Sequence, residues 1–327
     1  MNNKQKIYFF SEKNVEGNKD MFSLLGGKGA NIAEMCSLKL PVPPGFTITT
    51  EECVSYLKEK KLSPALKRDI EKNIKKVESV SGKLFGGDDP LLLSVRSGAP
   101  VSMPGMMETV LNIGLTQKTI PLLIKKTKNE KFVYDSYRRF IMMYSDVVME
   151  KGLRKNKTGQ PIRDQMEKLL DQMKKKNGYK NDSAVSSESW EGLAKQYLSL
   201  YEKTFNEQFP EDHTEQLHGA VRAVFSSWNG KRAKEYRAFE KIPSNMGTAV
   251  NVQAMVFGNM GTGCGTGVAF TRNPSSGDKS FYGEWLENAQ GEDVVAGVRT
   301  PHPILKKDGS KNSLEHVLPK AFKELNT

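Results

Sequence analysis

Two cationic side chains in this sequence stand where the chain around them could hold a phosphate. Arg96 follows the apolar run Leu91–Leu92–Leu93 at the point where a strand would end. After it come Ser97–Gly98, two prolines, Gly105 and three methionines, before apolar character resumes at Val110. An arginine fork can bond two phosphate oxygens, and loop amides free of bulky side chains can approach them. An ordinary strand and turn with a surface arginine is the plain alternative. Lys28 lies in Gly26–Gly27–Lys28–Gly29, ahead of a helical pattern through Ile32, Met35 and Leu38. A point charge, free amides and the positive end of a helix dipole coincide there. This is not a P-loop: Phe22 stands where its first glycine belongs, and Gly29 where Ser or Thr must follow the lysine.

Near the other end, FYGEWLENAQGEDVVAGVRTP holds four carboxylates, Glu284, Glu287, Glu292 and Asp293. They could reach a ribose or a metal, and the Val252–Val256 strand could hold an adenine. A nucleotide bound between two lobes is the simplest function of such an arrangement, because Arg and Lys clamps stabilise charge on a transferring phosphoryl group.

The elements that must position these residues follow from periodicity. Residues 7–10, IYFF, read as a strand; Pro41, Pro43 and Pro44 end the first helix, and Phe46–Thr50 begins a strand or a cap. Residues 51–81 read as helix through Val54, Tyr56, Leu57, Leu62, Ile70 and Ile74. Residues 116–242 carry little strand signal. Val133, Tyr137, Phe140, Ile141, Tyr144 and Val148 share one helical stripe, as do Leu217, Val221, Val224 and Trp228. From Pro243 the character changes: Val250, Val252 and Ala254 alternate as in a strand, and a second strand is expected at Val268–Arg272. The segment VLPKAFKELNT reads as helix. The expected layout is a mixed lobe at 1–115, a helical insertion at 116–242 and a β-rich lobe at 243–327.

The chain has 327 residues, 37% of them hydrophobic and 27% charged, which is ordinary for a globular protein with a sizeable core. No apolar run approaches the ~20 residues that cross a bilayer, and the N-terminus lacks the apolar core of a signal peptide. Cys36, Cys53 and Cys264 lie far apart and read as reduced thiols. His213, His218, His302 and His316 form no ligand pattern and read as surface residues. The net charge of +11 raises the question of nucleic acid. Its lysines gather in short runs such as Lys174–Lys176 without aromatics, so they read as solvated helix ends.

Four blocks carry a resemblance: GGKGANIAEM with LPVPPGFTITTEEC, SVRSGAPVSMPGMMETVLNIGL, YRRFIMMYSDVVM, and GTAVNVQAMVFGNMGTGCGTGVAFTRNPSSG with FYGEWLENAQGEDVVAGVRTP. In this order, from about residue 7 to residue 304, they resemble the N-terminal nucleotide-binding domain of the pyruvate phosphate dikinases. The phosphoenolpyruvate synthases share the GGKGA motif, while the SMPGMMETVLN and NAQGEDVVAGVRTP blocks favour the dikinases.

The resemblance implies an α+β, ATP-grasp-like two-lobed domain that binds ATP with Mg2+. It further implies a phosphohistidine domain elsewhere in the parent chain, to which the β-phosphate passes, and a homodimeric parent. Lys28 and Arg96 become catalytic phosphate contacts, and the 102–109 loop with Thr109 folds over the phosphates. Gln253, Met255 and Val256 become an adenine hinge, and Glu292 and Glu284 ribose contacts. The family's acidic-x-acidic strand pair and the Gln-x-Arg after it have no counterpart past Gln290 and Arg299. The metal ligands are therefore expected mostly beyond residue 327 and the fold is expected to be truncated before its last strands. No histidine sits in a phosphohistidine motif, so this polypeptide alone is expected not to turn over. The resemblance leaves the cytoplasm, a peroxisome-like organelle or a plastid as the compartment, not secretion, and implies no membrane or nucleic-acid partner. A phosphoenolpyruvate synthase domain, a basic nucleic-acid module and a free-standing nucleotide sensor remain the alternatives.

Overall fold

A computed structural model describes residues 5–153, 159–295, 297, 299–306 and 310–326. The chain forms two compact units, Met1–Met255 and Val256–Thr327.

The first unit is built on a five-stranded antiparallel sheet in the order β1-β2-β5-β3-β4. Its strands are β1 (Ile7–Phe10), β2 (Gly45–Ile48), β3 (Leu93–Gly98), β4 (Thr109–Ile113) and β5 (Ala249–Ala254). β5 arrives last in sequence yet lies at the centre, paired with β2 and β3. Strand alternation gives the sheet two unlike faces. Ile7, Phe9, Phe46, Ile48, Val250, Val252, Leu93, Val95 and Val110 share one face, and all are buried. Each such side chain contributes roughly 1.5–3 kcal/mol by leaving water. The other face carries Tyr8, Thr47, Asn251, Gln253, Ser94, Arg96 and Thr109 in register.

Helices close both faces. On the polar face lies α1 (Phe22–Ser37), whose Ile32 and Cys36 pack on Phe10. The stripe that faces the sheet is Leu25, Gly29, Ile32, Ala33 and Cys36. Met35 and Leu38, expected on it, are exposed. The apolar face is covered by α2 (Thr50–Glu59), α3 (Pro64–Ser81) and α8 (His213–Ser227). The single helix expected over 51–81 is thus two. Lys60 takes a left-handed conformation with φ 58°, and Ser63 then caps α3 by accepting the Leu66 amide at 3.1 Å, with Pro64 at its first position. Val54 faces away from the core, 41% exposed.

The helical block also contains α4 (Thr119–Thr127), α5 (Glu130–Met143), α6 (Ile162–Asn177), α7 (Ser187–Phe205) and α9 (Lys231–Phe239). A π-helical segment, Tyr144–Gly152, continues α5. Both expected stripes are buried along their whole length. The aromatics are packing: Phe140, Tyr144 and Tyr201 each meet Phe209 edge-on, with centroids 5.5, 5.4 and 5.2 Å away.

In the second unit β6 (Gly265–Phe270), β7 (Tyr282–Glu287) and β8 (His302–Pro303) form an antiparallel sheet in that order. β6 begins before the expected Val268 and ends before Arg272. Trp285, Ile304 and Leu314 make the unit's core, against which Phe281, Leu318 and Phe322 pack. The short helices α10 (Gly291–Val295), α11 (Leu314–Val317) and α12 (Pro319–Leu325) complete it. No helix among the described residues is long and apolar enough to cross a membrane.

Candidate phosphate-binding face

Lys28 reaches the polar face because α1 is broken. Gly26 has φ 67° and ψ 168°, a conformation that only glycine adopts readily, so the helix stops and restarts at Gly27. Helix therefore begins at Phe22, upstream of the glycines, and Lys28 sits in the first turn of the restarted segment. The expected free amides are reduced by one, since Gly27 N–H is donated to Ala99 O at 2.9 Å. The glycines serve close packing as much as ligand access. A Cβ on Gly29 would lie 2.9 Å from Thr47 Cγ2, and one on Gly98 would lie 3.3 Å from Lys28 Cβ. Because Gly98 and Arg96 point to the same side of β3, Lys28 and Arg96 share that side.

Lys28 Nζ donates to Ser97 O at 2.9 Å. Burial of the ammonium, and after it repulsion from the Arg96 guanidinium, lower its pKa to about 8. The residue as a whole stays exposed, so an anion can reach it. Arg96 is half-buried, and burial lowers its pKa too. One of its Nη2 hydrogens goes to Gln253 Oε1, and Gln253 Nε2 in turn donates to Pro43 O at 2.9 Å. Among the described residues Arg96 Nε is buried without an acceptor. So is Nδ2 of Asn251, the register partner of Arg96, whose Oδ1 accepts from Thr47 Oγ1 at 2.8 Å. Buried donors left unpaired cost roughly 1–3 kcal/mol each, a cost that an acceptor-rich ligand would remove. A phosphate fits this face.

Thr109 opens β4 opposite Arg96. The loop between them is anchored at Met103, which is buried, and at Glu108. Glu108 forms ion pairs with Lys151 at 3.3 Å and Arg232 at 3.6 Å, and Lys151 also holds the buried Asp146 at 2.9 Å. Asp146 and Lys151 are five apart, a spacing that the π-helix brings onto one side.

Gln253 and Met255 stand at the end of β5 with their groups committed. The amides of Ala254 and Met255 go to Pro44 O and Leu92 O, each at 2.9 Å. The Met255 thioether accepts the Asn112 amide at 3.0 Å. Val256 begins the second unit and is 76% exposed. The strand expected over Val252–Val256 thus ends at Ala254. Glu284 lies on β7, paired with Val268 and Pro303, and Glu292 in the first turn of α10; both are exposed. Among the described residues no cluster of His, Cys, Asp and Glu has metal-binding geometry. The histidines also need correction: His213 and His218 are half-buried, and His213 meets the Phe85 ring edge-on at 4.7 Å. They head α8, where it packs against α3.

Residue types missed Asn251 and Thr47, because alone they look like ordinary strand residues. The signal was in the pattern: in AVNVQA the polar Asn251 and Gln253 alternate with Val250 and Val252, yet all six residues are buried. The polar side of this strand is buried beneath α1, where Gly29 leaves no side chain to pair with Asn251.

Fold and face together define a mixed α/β unit with antiparallel strands and a cationic, donor-rich face. The family model described as pyruvate phosphate dikinase, AMP/ATP-binding domain, matches residues 22–84 and 63–325. The chain belongs to that family. It is 50% identical over 312 residues to pyruvate, phosphate dikinase from Clostridium symbiosum, covering 94% of this chain and 34% of that protein. The enzyme of that name from Rhizobium meliloti (strain 1021) is 47% identical over 325 residues, 97% of this chain and 35% of the relative. Pyruvate, phosphate dikinase 1, chloroplastic, from Arabidopsis thaliana is 47% identical over 323 residues, 98% of this chain and 32% of the relative. The chain spans about a third of the length of these relatives.

Proposed function

We propose that this chain is the ATP-binding part of a pyruvate phosphate dikinase, and that its polar sheet face holds the nucleotide's phosphates. The parent reaction converts ATP, phosphate and pyruvate to AMP, diphosphate and phosphoenolpyruvate, through a phosphohistidine carried on another domain of the parent. The observation that carries the site is the pairing of Lys28 and Arg96 on one side of β3, beside the orphaned donors Arg96 Nε and Asn251 Nδ2. In this reading Arg96 is the oriented fork, Lys28 the point charge and Thr109 a hydroxyl beside them. Met255 contributes to the adenine pocket by packing, since its amide is taken by Leu92 O. The ribose role of Glu292, with Glu284 behind it, is proposed on the family's pattern alone. Mg2+ is proposed as the companion of the nucleotide on the family's pattern alone.

The test is calorimetric titration with MgATP of the chain and of its Arg96→Met and Lys28→Met variants. Losing a charge-assisted hydrogen bond costs roughly 1.5–3 kcal/mol, so each variant binds about 10- to 150-fold more weakly. Equal affinity in all three proteins refutes the assignment.

A further inference from the structure

The pair of cations on the polar face implies a reactivity that binding does not use. We propose that Lys28 is a covalent modification site for acyl phosphates, with Arg96 holding the reagent's phosphate group. The proposal rests on the anion-binding reading above, but not on the nucleotide being ATP. In the reaction the neutral Lys28 amine attacks the acyl carbon. A C–N bond forms, and the C–O bond to phosphorus breaks with its electron pair leaving on inorganic phosphate. The extra proton on nitrogen passes to water. The products are an amide at Lys28 and free phosphate, with no change of oxidation state.

Three observations converge on this lysine. It is exposed, so a reagent can approach it. Its Nζ is tied to Ser97 O at 2.9 Å, the carbonyl one residue past Arg96, which keeps the nitrogen over the guanidinium's strand. The charge that acts on it is a cation, Arg96, whereas Lys6, Lys75, Lys76 and Lys195 each hold a carboxylate at 2.7–3.0 Å. A carboxylate partner keeps an amine protonated and unreactive, while a guanidinium partner favours the free amine and attracts an anionic reagent. Beside it Gly29 packs on Thr47 and Asn251 of the sheet, which are neutral, and among the described residues Arg96 is the charged group that acts on Lys28.

With a pKa of about 8, roughly a quarter of Lys28 is neutral at pH 7.5. For a lysine of ordinary pKa the neutral share is about one in a thousand. A less basic amine is also less nucleophilic; by analogy with the thiol sensitivity, this returns roughly tenfold of the gain and leaves about 10- to 20-fold. Attraction of the phosphate group to Arg96 adds to that for acyl phosphates only. Acylation removes the ammonium and so switches off one of the two phosphate contacts.

The test incubates the 327-residue chain with acetyl phosphate at pH 7.5 and follows each lysine by peptide mass spectrometry. Lys28 is expected to be acetylated at least 10-fold faster than the median lysine, and inorganic phosphate is expected to slow it. Arg96→Gln abolishes the preference for acetyl phosphate, while a neutral acetylating ester shows a smaller preference that phosphate leaves unchanged. Labelling of Lys28 at the median rate, or without protection by phosphate, overturns the proposal. Protection by MgATP is scored separately. Fast labelling that ATP does not affect refutes the nucleotide reading and leaves this one standing; tight ATP binding without selective labelling does the reverse.

Discussion

Replacing Gly26 by alanine tests whether the break in α1 is what places Lys28. Gly26 and Gly82 have almost the same φ, +67° and +68°, but a Cβ on Gly82 meets nothing within 4 Å. On Gly26 it would lie 1.7 Å from Gly98 O, a backbone atom that cannot swing aside. Gly82→Ala therefore costs only the left-handed backbone strain, about 1–2 kcal/mol. Gly26→Ala carries strain of about 1–3 kcal/mol for its more extended ψ and a further 1–3 kcal/mol, roughly, for forcing α1 off β3. Gly27→Ala is the control. Its Cβ would sit 3.6 Å from Ala99 O in ordinary contact, and the helical gain of up to about 1 kcal/mol makes it neutral or stabilising. The measurement is native-state hydrogen exchange of the β5 amides, which report the central strand. The expected order of destabilisation is Gly26→Ala, then Gly82→Ala, then Gly27→Ala, with the first two apart by at least 1 kcal/mol, roughly the lower bound of the overpacking cost. If Gly26→Ala and Gly82→Ala agree within error, the close approach to Gly98 is not what fixes the kink, and the placement of Lys28 loses its physical basis.

Three further outcomes follow from the same geometry. Because the folded pKa of Lys28 is about 8, below its ordinary 10.5, the unfolded chain binds more protons between those values, and this residue's contribution to stability rises with pH across that window. A bound anion reverses the shift, so phosphate binding at pH 8.5 should take up a proton, seen as a buffer-dependent heat in calorimetry; no buffer dependence contradicts it. Lys151→Met strips the buried Asp146 and Glu108 of a shared cation, and should destabilise the first unit by roughly 1–3 kcal/mol and increase the mobility of the Met103 methyl by NMR relaxation. Lys151→Arg should restore both, and a rigid Met103 in Lys151→Met would show that the ion pairs do not hold the loop. Ser63→Ala removes the cap that separates α3 from α2, and should cost about 1 kcal/mol in urea unfolding with an unchanged m-value.

Much of this protein was legible from its residues. The stripes through Val133–Val148 and Leu217–Trp228 were set by helical spacing, because an apolar face of that width has to be buried wherever the helix lies. The strands at 7–10 and within 249–254 likewise rest on local pattern, as does the choice of Lys28 and Arg96, which the fold brings to one side of β3. The family followed from long motifs in order.

Only the tertiary structure decided how those pieces combine. A late strand, β5, enters between β2 and β3, and no local preference encodes such a non-local pairing. That insertion stacks Asn251 on Thr47 and Arg96, and turns three polar residues from separate segments into one donor-rich face. The glycines around Lys28 read as a phosphate cradle in one dimension. In three dimensions their first duty is steric: Gly26 lets α1 break, and Gly29 and Gly98 let helix and strand approach within a methyl's width. The depressed pKa of Lys28 is equally invisible in sequence, since it arises from burial and from Arg96, 68 residues further along the chain. Sequence named the two cations; only packing could set them side by side.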